Sequence, residues 1–185
     1  MSAGAIPSDA PPTLHAVEST EQKAAARGLV REYLTWIGEI ARTNYGLSFD
    51  IDTMVASDID DRTKFYPPSG RFYLLRFGDR YLGVGCLKQL APGVGEVQRM
   101  YVQPHARGLG GGRLIVGRLI EDARRLGYRK LRLESLKALT AAHELYRSVG
   151  FVEIDPYSES SMNEYQPPES LPTYRSSAVF MELSL

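Results

Sequence analysis

Cysteine, tryptophan and histidine are scarce in this chain of 185 residues, which contains one, one and three of them. With Cys86 as its single thiol the chain cannot form an internal disulfide, and we expect a cytoplasmic location. Cys86 lies in an apolar, strand-like run without a cationic neighbour, which predicts a core residue instead of a nucleophile. The histidines His15, His105 and His143 lack the spacing of metal ligands, so we expect no bound metal.

The chain also lacks an excess of charge of either sign. Lys+Arg and Asp+Glu both number 22, so the formal net charge is zero. No overall field would attract nucleic acid or an anionic membrane, and no apolar run approaches the length that spans a bilayer. We therefore expect neither nucleic acid nor a membrane as a partner, and any anion site must be local.

The length suits one domain with its own hydrophobic core. The first residues, from Met1 to Thr13, are rich in Ala, Pro and Ser and lack the basic start and apolar centre of a signal peptide. We predict a disordered leader over residues 1–18 and a single domain over residues 19–185.

Apolar residues recur at helical spacing from Thr20 to Tyr45, which predicts one long amphipathic helix. An acidic connector follows that contains Asp50, Asp52, Asp58, Asp60 and Asp61. These aspartates fit two interpretations, namely helix caps and solvated turns, or a rim that attracts a cationic substrate.

The period then changes to that of strands. Arg71 to Phe77 and Tyr81 to Leu90, joined at Gly78-Asp79, predict an antiparallel hairpin, and Gly95 to Gln103 predicts a third strand. A helix from near Gly111 to Gly127 leads to a strand at 130–135, so the strands on either side of it should be parallel neighbours. A helix at 140–148 and strands at 151–154 and 177–183 follow, and residues 156–174 form a polar stretch without periodicity.

A glycine-rich turn, Arg107-Gly108-Leu109-Gly110-Gly111-Gly112-Arg113, stands between a strand and a helix. Free backbone N–H groups at the positive end of a helix dipole favour an anion such as phosphate. A P-loop needs Lys and then Ser or Thr after its last glycine, and a dinucleotide fingerprint that begins at Gly108 needs glycine where Arg113 stands. Neither motif fits, and the glycines alone are equally compatible with an ordinary loop.

Three features agree in order and spacing: a strand that ends in Val102-x-Pro104, the pattern Arg107-x-x-Gly110-x-Gly112, and Ala142-x-x-Leu145-Tyr146-x-x-x-Gly150-Phe151. Together they resemble the GNAT superfamily of acyl-CoA-dependent N-acyltransferases. The resemblance implies an α/β (α+β) fold with a mixed, mostly antiparallel sheet flanked by helices. In that fold, two central parallel strands splay apart and hold the acyl-CoA between them.

The resemblance also implies roles for particular residues. The backbone of Met100, Tyr101 and Val102 would pair with the pantetheine arm of acetyl-CoA, and Arg107 would add charge near its pyrophosphate. Tyr146 would protonate the leaving thiolate. One departure is Leu139, which stands where many members carry an asparagine that contacts CoA, so that contact is lost or replaced by Thr140 or Ser135. Backbone N–H groups that would hold the pyrophosphate belong to Gly108, Leu109, Gly110, Gly111, Gly112 and Arg113.

The chemistry of acyl transfer to an amine calls for a base. A lysine-like amine has a pKa of roughly 10.4, so holding it neutral at pH 7 costs roughly 4.6 kcal/mol. Glu96 is the candidate base, because it resembles the glutamate of histone-acetylating members, and it would need a raised pKa to act efficiently. Glu134 on the neighbouring strand is the competing carboxylate.

The predicted activity is therefore transfer of an acetyl group from acetyl-CoA to a primary amine of a small molecule or a protein, by a monomer or a homodimer. A non-catalytic acyl-CoA-binding module stays open as an alternative. Use of a longer acyl-CoA or of a hydroxyl acceptor would share the same site, and the acceptor itself has no sequence motif.

Overall fold

The structure is a computed structural model that describes residues 11–185. Residues 1–10 of the predicted leader lie outside the described part. The strands are β1 Thr13–Ala16, β2 Arg71–Phe77, β3 Arg80–Ala91, β4 Val94–Val102, β5 Lys130–Leu136, β6 Val152–Ile154 and β7 Ala178–Ser184. The helices are α1 Thr20–Tyr45, α2 Ile51–Asp60, α3 Gly111–Arg125, α4 Thr140–Ser148 and α5 Leu171–Ser177, with short 3-10 helices at Pro104–Ala106, Ser161–Glu164 and Pro168–Ser170.

The strands form one seven-stranded sheet in the order β1-β2-β3-β4-β5-β7-β6. All neighbours in it are antiparallel except β4 and β5, which are parallel. The α/β (α+β) fold with a mixed, mostly antiparallel sheet is thus confirmed. Helix α3 connects the two parallel strands, as the strand–helix–strand pattern predicts.

The parallel strands stay together for only three residue pairs, the last of which is Glu96 with Arg132. Beyond that point β4 continues to Val102 and β5 to Leu136, so a gap opens between them. A bulge in β4 lies at the same place: its register against β3 shifts between Tyr101 and Gln98, and Arg99 adopts a φ of 54°. A bulge bends and twists a strand, which accounts for the divergence of β4 from β5.

The two faces of the sheet bury separate apolar cores. Helices α1 and α2 pack with Leu74 and Val84 on one face, and α3 packs with Leu75 and Leu87 on the other. Helix α1 begins and ends as predicted, with a capping box between Ser19 and Gln22 at its start. Among the described residues, no helix is both long and apolar enough to cross a membrane.

Three sequence interpretations need correction. Residues 13–16, placed in the disordered leader, form the edge strand β1, which pairs with β2 from Thr13↔Arg76 to Ala16↔Tyr73. The acidic connector is largely the helix α2. Met54, Val55 and Ile59 are buried on one side of this helix. The polar stretch 156–174 is not wholly irregular, because it contains two 3-10 helices and the start of α5.

Candidate active site

A cleft of about 490 Å³ lies where β4 and β5 separate. Its walls come from the second half of β4, the glycine-rich turn, the end of β5 and helix α4. A smaller cavity of about 50 Å³ adjoins it and shares several lining residues with it, among them Tyr33, Arg99 and Glu134. Most of the residues that the resemblance singles out line the cleft: Met100, Tyr101, Val102, Arg107, Gly108, Gly110, Gly111, Gly112, Arg113 and Tyr146.

The glycine-rich turn presents unshielded backbone donors at the start of α3. Gly108 and Gly110 have φ of 80° and 82°, which L side chains rarely adopt. Gly110 is the N-cap of α3 and offers no side-chain hydrogen bond to the first turn, so the N–H groups there can bind an anion. A Cβ on Gly111 would approach Leu75 Cδ2 to 2.4 Å, so close packing on β2 also requires glycine. Leu109 is exposed at the tip of the turn.

The two arginines of the turn fix its position. Arg107 Nε donates to the carbonyl of Val102 at 2.9 Å, and its guanidinium lies over the ring of Trp36, 5.0 Å from the centroid. Arg113 Nη2 donates to Ser148 Oγ at 2.9 Å and links α3 to α4. Both arginines also line the cleft, so they can add positive charge beside a bound anion.

Tyr146 lies on α4 with its ring 5.9 Å from that of Phe151, and only 6% of its surface is exposed. The structure describes no hydrogen bond for its hydroxyl, which leaves the O–H free to donate to a ligand in the cleft. Burial raises the pKa of Tyr146 above its ordinary value, so the phenol stays protonated at neutral pH.

Glu96 is fully buried behind the cleft, and it is not among the residues that line either cavity. Its carboxylate accepts hydrogen bonds from Gln98 Nε2 at 2.5 Å, Tyr157 Oη at 3.0 Å and Ser161 Oγ. It belongs to the last residue pair before β4 and β5 part, which explains why it is enclosed. The resemblance predicts Glu96 as the base, whereas the structure places its carboxylate behind the wall of the cleft.

Glu134 lies two residues beyond that pair on β5 and lines both cavities. It accepts hydrogen bonds from Ser160 Oγ at 2.6 Å and from the N–H of Met162 at 3.2 Å. Burial, with a contribution from the negative charge of Glu96, raises the pKa of Glu134 to about 7.

Tyrosines surround the two carboxylates. Burial, together with the charges of Glu96 and Glu134, raises the pKa of Tyr157 and Tyr174 well above the ordinary value, and burial also raises that of Tyr33. These phenols stay protonated near neutral pH. Glu134, with its pKa of about 7, can exchange a proton there.

A buried ionic cluster that the sequence did not reveal lies beside the small cavity. Asp58 on α2 accepts from Arg99 Nε at 2.5 Å and from Lys64 Nζ at 2.5 Å. Lys64 also donates to the hydroxyls of Ser57 and Tyr165, at 3.3 and 2.7 Å. A sequence signal existed, because the charged Arg99 alternates along the strand with the apolar Val97 and Tyr101, but nothing in the sequence linked it to Asp58.

The same geometry disfavours the acidic rim, because none of its aspartates lines either cavity. Asp58 is enclosed by its two cations, Asp52 and Asp60 pair with Arg31 and Arg27, and the remaining two aspartates bond to threonines. Asp50 does serve as the N-cap of α2, as the first interpretation predicted.

The residues that could replace the missing asparagine contact at Leu139, namely Thr140 and Ser135, both line the cleft. Across residues 11–185, no group of three or more His, Cys, Asp or Glu is arranged to hold a metal ion.

Comparison with known proteins gives a consistent result. The chain is 34% identical to an uncharacterised N-acetyltransferase of Schizosaccharomyces pombe over 133 residues, covering 70% of this chain and 76% of the relative. It is 30% identical to the IAA acetyltransferase of Azospirillum brasilense over 141 residues, covering 76% of this chain and 84% of that protein.

A structural neighbour shares the fold at low sequence identity. The PaiA N-acetyltransferase of Thermoplasma acidophilum, solved in complex with coenzyme A, superposes with a TM-score of 0.66 at 14% identity, covering 95% of this chain and all of the other. The sequence profile of the acetyltransferase (GNAT) family matches residues 37–151, well over half of the sequence. The chain therefore belongs to the GNAT family of acetyltransferases.

Proposed function

We propose that this protein transfers an acetyl group from acetyl-CoA directly to a primary amine of a small molecule or a protein. The observation that carries the proposal is the cleft itself, which has an anion-binding turn at one end and Tyr146 and Glu134 on its walls. The coenzyme A complex of the Thermoplasma neighbour supports the use of acyl-CoA. The residues present fit this co-substrate, because β4 has backbone groups no longer paired with β5 and the turn has free N–H groups.

The first chemical requirement is a neutral amine. We propose that Glu134, open to the cleft, accepts the proton from the amine directly or through water. A base is most effective when its pKa lies near the working pH, and the pKa of Glu134 is raised to about 7. Glu96 would then act through Glu134 and would not contact the substrate. Its negative charge disfavours ionisation of Glu134, so Glu134 becomes a stronger base.

The neutral amine would attack the thioester carbonyl and form a tetrahedral intermediate. A backbone N–H of β4 near Tyr101 or Val102 would stabilise the oxyanion. Collapse of the intermediate breaks the C–S bond and expels a thiolate, which would take a proton from Tyr146, and the proton that the attacking nitrogen loses would return through water to the tyrosinate. No covalent enzyme intermediate is required, and Cys86, the single thiol, is fully buried in the core.

We further propose a cytoplasmic protein that acts as a monomer or a homodimer. A single buried free cysteine is compatible with a reducing compartment. Cross-linking and sedimentation of the purified protein would establish its oligomeric state.

The test is a panel of amines, peptides and alcohols, assayed by free-thiol release from acetyl-CoA and from longer acyl-CoAs. Calorimetric titration with CoA accompanies it. We expect saturable CoA binding and thiol release with at least one amine. Binding without release across the panel would identify a non-catalytic acyl-CoA-binding module, and release with alcohols alone would identify an O-acyltransferase.

A further inference from the structure

We infer that the acceptor amine carries a carboxylate, and that Arg99 binds this carboxylate beside Glu134. This inference rests on the proposed function and defines its substrate class as small, amino-acid-like amines. It reverses the earlier idea of a cationic acceptor drawn to an acidic rim.

Arg99 has the donors for such a ligand. Its side chain is buried, with 7% exposed, yet it lines both the cleft and the small cavity. Asp58 accepts from Nε at 2.5 Å and from Nη2 at 3.3 Å, which uses one edge of the guanidinium. The described residues offer no hydrogen bond to Nη1, so this part of the guanidinium is available to a ligand. Guanidinium groups bind carboxylates with strong, charge-assisted hydrogen bonds.

The Asp58 cluster itself has one more cation than it has carboxylates. Lys64 and Arg99 are two cations that share the single carboxylate of Asp58, and all three side chains are less than a tenth exposed. The other partners of Lys64 are the neutral hydroxyls of Ser57 and Tyr165. A carboxylate ligand next to Arg99 would give this cluster a second anion for its two cations, and the amine of the same ligand would lie beside Glu134.

The backbone of β4 aims Arg99 at this place. Its φ of 54° is unusual for a residue other than glycine and belongs to the bulge at which β4 leaves β5. Such conformations persist where surrounding contacts hold them, and they concentrate at ligand sites. The ion pair with Asp58 anchors the side chain of Arg99 at this point.

The small cavity limits the size of the acceptor. Its volume of about 50 Å³ accommodates a few non-hydrogen atoms, and much of its wall is apolar, formed by Ile37, Phe49, Leu136, Leu139 and Met162. Arg99 and Glu134 line both cavities, so one small molecule can present its carboxylate to Arg99 and its amine to Glu134.

The test compares each of several α- and β-amino acids with the amine that lacks its carboxylate, by thiol release from acetyl-CoA. We expect kcat/KM of the wild-type protein to favour the carboxylate-bearing member of a pair at least about tenfold, the usual worth of a hydrogen bond to a charged group. In Arg99→Gln this preference should fall to near unity. Arg31→Gln, which removes an exposed arginine from the surface pair with Asp52, should keep it.

The unfolding temperature and a CoA titration would show whether Arg99→Gln is folded. A second variant keeps the inference testable if it is not. Lys64→Met leaves the Arg99–Asp58 pair intact but removes the surplus cation, so it should raise KM for the carboxylate-bearing acceptor several-fold. A wild-type preference near or below unity in every pair, with amines still acetylated, would overturn this inference alone. Absence of thiol release with any amine would overturn the proposed function, and the inference with it.

Discussion

Asp58 and Arg99, 41 positions apart in sequence, form a buried ion pair with Nε and Oδ2 separated by 2.5 Å. Asp58 stands on α2 and Arg99 on the bulge of β4, so the pair fastens the helix to the point where the sheet opens. Lys64 completes the cluster from the segment after α2. The shape of the cleft thus depends on electrostatics in the core as well as on apolar packing.

The first prediction concerns this pair. Asp58→Asn should destabilise the protein by about 3–5 kcal/mol, because it leaves two buried cations without their shared carboxylate. Urea unfolding measures the loss. The matched control is Asp52→Asn on the same helix, whose exposed pair with Arg31 should contribute little. Equal stabilities of the two variants would show that the cluster does not hold α2 on the sheet.

The second prediction concerns the pH dependence of catalysis. With an acceptor that stays neutral across the range, the acidic limb of kcat/KM should have its midpoint at about pH 7, the pKa of Glu134. Glu96→Gln removes a negative neighbour, so the pKa of Glu134 should fall and the limb should move to lower pH. Glu134→Gln should abolish the limb. A limb unmoved by Glu96→Gln would show that Glu96 does not influence the base.

The third prediction links the same carboxylate to stability. Its folded-state pKa of about 7 lies above the ordinary 4.5, so the protonated form is favoured in the fold. That stabilisation is full below pH 4.5 and is lost as the pH rises through 7. Glu134→Gln keeps a neutral side chain, so relative to the wild type it should gain up to roughly 3 kcal/mol between pH 4.5 and 8.

Denaturant unfolding at several pH values measures that gain. Glu164→Gln, at an exposed glutamate of the segment between β6 and β7, is the control and should follow the wild-type curve. Parallel curves for wild type and Glu134→Gln would mean that Glu134 ionises normally in the folded protein.

The fourth prediction concerns the glycine-rich turn. Gly110→Ala places a Cβ at a φ of 82°, which should cost about 1 kcal/mol of stability and weaken CoA binding as the turn relaxes. Gly117→Ala on α3 is the control, because a Cβ there meets no atom within 4 Å. It should stabilise the helix by up to about 1 kcal/mol and leave CoA affinity unchanged. Equal CoA affinities of the two variants would contradict an anion site at Gly110.

The sequence predicts those parts of the fold that local chemistry determines. Helix α1 is predicted by the helical spacing of Leu34 and Ile37 and by Gly46 after them. The β2–β3 hairpin is predicted by two strand-like runs joined at a Gly-Asp turn. The sequence did not predict strand β1, because four residues are too few to show the periodicity of a strand. The sequence did not predict helix α2, because its aspartates interrupt the apolar pattern of a short buried face formed by Met54, Val55 and Ile59.

The site was predictable only where a motif is contiguous. The glycine-rich turn and Tyr146 were placed in the cleft from sequence, whereas the choice between Glu96 and Glu134 depends on where β4 and β5 separate. That point coincides with the bulge at Arg99, whose side chain pairs with Asp58 on a distant helix. Long-range side-chain pairing of this kind leaves no periodic pattern in a sequence.

The central claim is that acetyl transfer takes place within the cleft with Tyr146 as proton donor. Its most direct test compares thiol release by the wild type and by Tyr146→Phe, with the best acceptor of the panel. CoA affinity is measured in parallel. We predict that the wild type releases one thiol for each acetylated amine and that Tyr146→Phe is about 10²-fold slower at nearly unchanged CoA affinity. Equal rates for the two proteins, or CoA binding by the wild type without acetylated product, would contradict it.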